Sequence, residues 1–158
     1  MTDETETLSP DKRMKVTMVL ADHAQIAEGK LFISGGGWTE TGPTPVPFAI
    51  AVLFEVPWNE TNKPHTFQLE LIDSHGEPVT VPTPEGDEPL KVEGQFEVGR
   101  PPGARPGSSF TNPFVFKCGG LPMTPATSYE WRLLIDDETR DDWRLVFNTR
   151  PEAQAQVG

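Results

Sequence analysis

Residues 90–98 alternate strictly. Leu90, Val92, Phe96 and Val98 fall on one side of an extended chain, and Lys91, Glu93, Gln95 and Glu97 fall on the other. A period of two cannot build an amphipathic helix, whose apolar positions recur every three or four residues. Residues 65–71 repeat the pattern with Phe67, Leu69 and Leu71 on one face. Residues 129–133 and 143–147 do so again, with Trp131 and Trp143 at inward positions. More uniformly apolar runs at 16–20, 48–56 and 114–116 are expected as more central strands, and 30–34 as a shorter one. This makes about eight strands and no helix of useful length. The chain is expected to be all-β, an antiparallel sandwich or barrel.

Turn chemistry separates these runs. Asp73, Ser74, His75 and Gly76 suit a type I turn closed by a left-handed glycine. Residues 82–89 contain Pro82, Pro84 and Pro89 and are expected as a loop, because three residues without an amide donor cannot sustain a ladder. Residues 101–107 form a second loop of this kind. Residues 21–28 are expected to hold one helical turn, with Asp22 as its cap.

The most specific structural signal lies at residues 121–129, Leu-Pro-Met-Thr-Pro-Ala-Thr-Ser-Tyr, followed by the alternating Trp131 and Leu133. This segment resembles the tyrosine corner of fibronectin type III and immunoglobulin-like domains. There a tyrosine opening the penultimate strand bonds back to the chain a few residues upstream. Tyr129 is the sole tyrosine of the chain and stands where that motif places one. The resemblance implies an antiparallel Greek-key β-sandwich of the immunoglobulin-like kind. A second resemblance starts at Met14-Lys15-Val16-Thr17-Met18-Val19-Leu20 and continues through Glu28-Gly29-Lys30-Leu31 to Ile33 and Gly35. It is similar to the opening of a family of uncharacterised bacterial proteins, mainly actinobacterial, and implies a cytoplasmic protein without supplying a catalytic residue.

The length of 158 residues fits one domain. Residues 14–151 are expected to form it, behind an acidic disordered leader at 1–13 and ahead of a flexible tail at 152–158. The net charge of −11 repels phosphate backbones and anionic lipid surfaces, so neither nucleic acid nor membrane is an expected partner. The exception is the acid-free stretch between Glu97 and Glu130, which carries Arg100, Arg105 and Lys117. The longest apolar run, 46–54, is interrupted by Pro47 and is too short to span a bilayer as a helix. No signal-peptide pattern opens the sequence, and the expected location is the cytoplasm.

Catalytic chemistry finds little support. Cys118 is the only cysteine, so neither an internal disulfide nor a thiolate zinc site is possible. His23, His65 and His75 are scattered, no nucleophile-elbow motif occurs, and Gly35, Gly36 and Gly37 precede Trp38 and a loop instead of a phosphate-binding helix. The glycines are expected to form a bulge or tight turn. The acidic run of Asp136, Asp137, Glu138, Asp141 and Asp142 lacks EF-hand spacing, and whether it binds calcium stays open. No cofactor is expected, and the chain is read as a non-enzyme.

Aromatics in connectors are the better lead. Trp38 and Trp58 lie outside the alternating segments, where an indole either plugs an end of the sandwich or anchors a contact. With Asn59, Arg100, Arg105 and Phe110 they make the candidate contact set. The expected function is a binding or structural module that meets a protein partner through loops or an edge strand. Carbohydrate or small-ligand binding by the same aromatics, and self-association within a larger assembly, are the alternatives.

Overall fold

The structure, a computed structural model, describes residues 13–42 and 44–152. Most of the expected leader and nearly all of the expected tail lie outside these residues. Eleven strands form, against the eight or so expected: β1 (Lys15–Ala27), β2 (Lys30–Gly36), β3 (Glu40–Thr41), β4 (Phe48–Val56), β5 (His65–Ile72), β6 (Thr80–Thr83), β7 (Gly86–Pro89), β8 (Lys91–Phe96), β9 (Phe110–Cys118), β10 (Ser128–Ile135) and β11 (Arg144–Thr149). One sheet has the order β2-β1-β4-β9, the other β3-β11-β10-β5-β8, and β6-β7 is a separate hairpin. Pairing is antiparallel except between β3 and β11, which run parallel. The fold is an all-β, sandwich-like arrangement.

Alternation decides what each sheet hides. In β4, Phe48, Ile50, Val52, Phe54 and Val56 join Leu20 of β1 and Phe67, Leu69, Leu71, Trp131, Leu133 and Phe147 of the other sheet in one core. Ala49 and Ala51 point to the opposite face of β4, where they pack with Ala24, Leu31 and Val115. Rings fill the layer between the sheets. Phe54 stacks on Phe96 at 4.4 Å, and Phe116 meets Trp131 edge-on at 5.9 Å. Each large side chain removed from water here contributes on the order of 2 kcal/mol. Trp131 and Trp143 are both buried, as their inward positions require, although Trp143 stands one residue ahead of β11. The hydroxyl of Tyr129 accepts a bond from the Thr124 N–H at 2.8 Å, so the upstream tether of the expected corner is formed.

Two expectations fail for identifiable reasons. Residues 21–28 hold no helical turn. β1 continues to Ala27, and Glu28 and Gly29, with φ of 54° and 72°, turn the chain directly into β2. Ala24, Gln25 and Ile26 are acceptable helix residues, but pairing with Ile33, Phe32 and Leu31 overrides that weak preference. The proline-rich stretch is also a ladder, with Thr80 opposite Pro89, Val81 opposite Glu88, Pro82 opposite Asp87 and Thr83 opposite Gly86. The Leu90 N–H donates to the Val79 carbonyl at 2.8 Å, which fixes the alternation of bonded pairs beyond it. Pro82 and Pro89 therefore fall on non-bonded positions, where no ladder donor is missed, and Pro84 sits in the turn. The Asp73 turn forms as expected: Gly76, at φ 79°, donates to the Asp73 carbonyl, and Asp73 Oδ1 accepts from the His75 and Glu77 amides.

Candidate contact site at the β4–β9 end

β4 ends where Pro57 interrupts the ladder, and the chain turns through a short 3-10 segment, Trp58–Glu60. Thr61 closes that turn, its hydroxyl donating to the Trp58 carbonyl at 2.6 Å. Two loops are then tied together. The Asn62 amide, at a left-handed φ of 61°, donates to the Val98 carbonyl at 2.7 Å. Arg100 reaches across with Nε donating to Thr61 Oγ1 at 2.6 Å and Nη2 to the Trp58 carbonyl at 2.8 Å. Its guanidinium carbon lies 3.7 Å from the Trp58 ring centroid. Phe110, the first residue of β9, stands 6.3 Å from the same indole and opposite Val56 in register.

The arrangement is a cation held against an aromatic by two inward hydrogen bonds, with Nη1 outside both. Such a pair contributes about 0.5–1 kcal/mol at an exposed site. Fixing the side chain in advance also removes part of the ordering cost of a later contact. Trp58 and Phe110 are half-buried, while Arg100 and Asn59 are exposed. Of the expected contact set, Trp58, Arg100 and Phe110 thus come together, with Asn59 beside them. Arg105 is exposed in a separate tight turn, where its carbonyl accepts from the Ser108 amide.

Trp38 belongs elsewhere. It lies at the opposite end of β4, edge-on to Phe48 at 5.9 Å and to Phe147 at 6.3 Å, and packs against the core. Its Nε1 is buried with no hydrogen-bond partner among the described residues. A shallow pocket of about 280 Å³ beside it is bordered by Val46, Pro47, Phe48 and Arg150. Of the glycines ahead of it, expected as a bulge or tight turn, Gly35 and Gly36 instead end β2, and Gly35 and Gly37 take left-handed φ of 61° and 94°.

One polar constellation has no local sequence signal. His65, 3% exposed, opens β5, and Asp136 follows β10 with φ of 52°. His65 Nδ1 lies 2.8 Å from Asp136 Oδ2, and Nε2 lies 2.9 Å from the Glu60 carbonyl oxygen. The Thr66 amide donates to Asp136 Oδ1 at 3.0 Å. Burial pulls the imidazole pKa down, but the Asp136 carboxylate, the Glu60 carbonyl and both nearby negative charges outweigh it and leave it above 6.5. For Asp136, partial burial works upward, while the His65 hydrogen bond, the Thr66 amide and the His65 charge hold the carboxyl below 3.8. The imidazole also stacks on Phe96 at 5.3 Å. The site is an internal brace linking the 3-10 turn, β5 and the β10–β11 loop.

The rest of the acidic run is partly neutralised locally. Arg144 Nη2 lies 3.7 Å from Asp141 Oδ1, and the Arg140 guanidinium lies 5.1 Å from the Trp143 ring. Among the described residues no three His, Cys, Asp or Glu side chains gather as a metal site. Cys118 ends β9 opposite Phe48, and burial pushes its thiol up to about 11.

A family model of unknown function, DUF6941, matches residues 16–148, which takes in nine complete strands and nearly all of β1 and β11. The chain belongs to the DUF6941 family. None of the curated proteins compared with it matches. In DUF6941 terms, the Trp58–Arg100–Phe110 cluster and the His65–Asp136 brace both fall inside the family's span.

Proposed function

We propose that this DUF6941 domain is a non-enzymatic cytoplasmic binding module that meets a protein partner at the Trp58–Arg100–Phe110 end. The carrying observation is Arg100, exposed yet fixed by two hydrogen bonds and laid 3.7 Å over a half-buried indole. Arginine and tryptophan dominate binding hot spots because both present a broad, rigid, partly apolar surface. The guanidinium already occupies part of the indole surface that a sugar ring needs for stacking, which favours the protein partner over a carbohydrate. Burial of Cys118 and the structural use of both His65 nitrogens support the non-enzymatic reading. The tether from Tyr129 to Thr124 supports a Greek-key, immunoglobulin-like ancestry for the bacterial family.

Affinity capture with the wild-type chain, Trp58→Ala and Arg100→Ala, alongside thermal melts, tests the reading. Both variants are expected to lose specific capture with melting shifts of no more than about 4 °C, equivalent to about 1 kcal/mol in a domain of this size. Unchanged capture with a much larger melting loss makes the cluster a structural plug.

A further inference from the structure

Sheet edges invite pairing with other strands, and most edges of this fold are blunted. β9 carries Pro113 at its middle, β8 carries Lys91, Glu93 and Gly94, and β3 is two residues long. β2 differs. After Lys30 it reads Leu31, Phe32, Ile33 and Ser34, with neither proline nor a further charge. Among the described residues five large apolar side chains are exposed, and Ile26, Phe32 and Ile33, at 43%, 51% and 42%, all belong to the β1–β2 hairpin.

The turn fixes which backbone groups of β2 are free. Glu28 and Gly29 form a two-residue connection, closed by the pair Ala27 and Lys30. In such hairpins the closing pair is hydrogen-bonded, and bonded pairs then alternate along the ladder. Gln25 with Phe32 and His23 with Ser34 are therefore bonded, while Ile26 with Leu31 and Ala24 with Ile33 are not. The N–H and C=O groups of Leu31 and Ile33 consequently point away from β1, on the side where no further strand of the sheet lies among the described residues.

We propose that β2 pairs antiparallel with β2 of a second copy of this chain, about a two-fold axis at Phe32. Leu31 and Ile33 flank that axis symmetrically, and each offers one donor and one acceptor. Antiparallel pairing of Leu31 with Ile33 of the second copy closes every one of these groups and leaves none over. Phe32 then faces Phe32 of the second copy in a non-bonded pair, the closer of the two pair types, which suits two rings. A strand from another protein has to bring a matching register; a second copy brings it by symmetry. Charge agrees with this choice, because residues 30–36 carry one lysine and no acid in a chain of net charge −11. The product is a continuous eight-stranded sheet joined at an edge that carries no acid. The contact is small, so the dimer is weak, with a dissociation constant on the order of tens of micromolar. It tightens with salt, as the remaining like charges are screened.

The full chain is tested by sedimentation equilibrium from about 1 µM to 1 mM, a range spanning that dissociation constant. The expected mass climbs from 17.5 kDa towards twice that value. Ile33→Pro deletes an outward donor but no ladder donor of β1–β2, so it is expected to hold the chain monomeric with little change in melting temperature. Phe32→Cys places two thiols on Cα atoms about 4.5 Å apart, within disulfide reach. Mild oxidation is expected to give a covalent dimer on a non-reducing gel, which Leu31→Cys, with Cα atoms about 8 Å apart, does not form. A wild-type chain that stays monomeric across the range, or a Leu31→Cys variant that cross-links as well as Phe32→Cys, overturns the proposal.

Discussion

His65 and Asp136 stand 71 positions apart in the chain, yet Nδ1 of one lies 2.8 Å from Oδ2 of the other. The His65 pKa is raised in the fold, so its contribution to stability is complete below the unfolded value of 6.5 and disappears as pH rises through the folded value. The Asp136 pKa is lowered, so its contribution is present above 3.8 and disappears as pH falls through the folded value. Both contributions coincide between about pH 4 and 6.5. The melting difference between the wild-type chain and Asp136→Asn is therefore expected to peak in that window and shrink towards pH 8. A difference that stays flat from pH 4 to 8 contradicts the coupling.

Tyr129→Phe removes the acceptor of the Thr124 amide and little else, since the ring keeps its stack on Phe147 at 5.6 Å. The expected loss is about 1–2 kcal/mol, the cost of leaving a partly buried amide unpaired. Chemical denaturation should show it as a lower midpoint with an unchanged slope.

Gly94 sits opposite Phe67, and a Cβ placed on it meets the Phe67 ring at 2.7 and 2.8 Å. Gly94→Ala is expected to destabilise by about 1–3 kcal/mol through overpacking, although alanine ordinarily suits a strand better than glycine. Combining it with Phe67→Leu should recover part of that loss. Strict additivity of the two penalties argues against the clash.

Cys118 is expected to ignore a disulfide reagent such as DTNB at pH 8 while the chain is folded, because its thiol pKa stands near 11 and the side chain is buried. In guanidinium chloride it should react within minutes. Rapid labelling of the folded protein contradicts this.

Strands with one wet face were legible in the sequence because alternation records the difference between two environments. That is why Leu90 to Val98, and the inward Trp131 and Trp143, could be placed without coordinates. The β6–β7 ladder was not legible, because a proline's effect depends on which of two alternating positions it occupies, and register is a pairing property. The same holds for residues 24–27, whose local preference is neutral and whose conformation is set by Leu31, Phe32 and Ile33. At the contact end, Trp58, Arg100 and Phe110 were each legible as candidate contacts. Their mutual contact depends on the Asn62–Val98 tie, which no spacing rule encodes. His65 and Asp136 were missed as a pair for the same reason, each having looked ordinary in its own neighbourhood.

The short parallel pairing of β3 with β11 sews Thr39 and Thr41 to Asn148 and Arg150, more than a hundred positions further on. The sandwich therefore cannot close before β11 has been made. Until the last strand clears the ribosome, the segment leaving β2 has no dock, and Trp38 lacks the Phe147 ring that it packs against. Closure of this domain thus waits on β11, and a premature stop before it leaves the five-stranded sheet without the strand that joins β3 to β10.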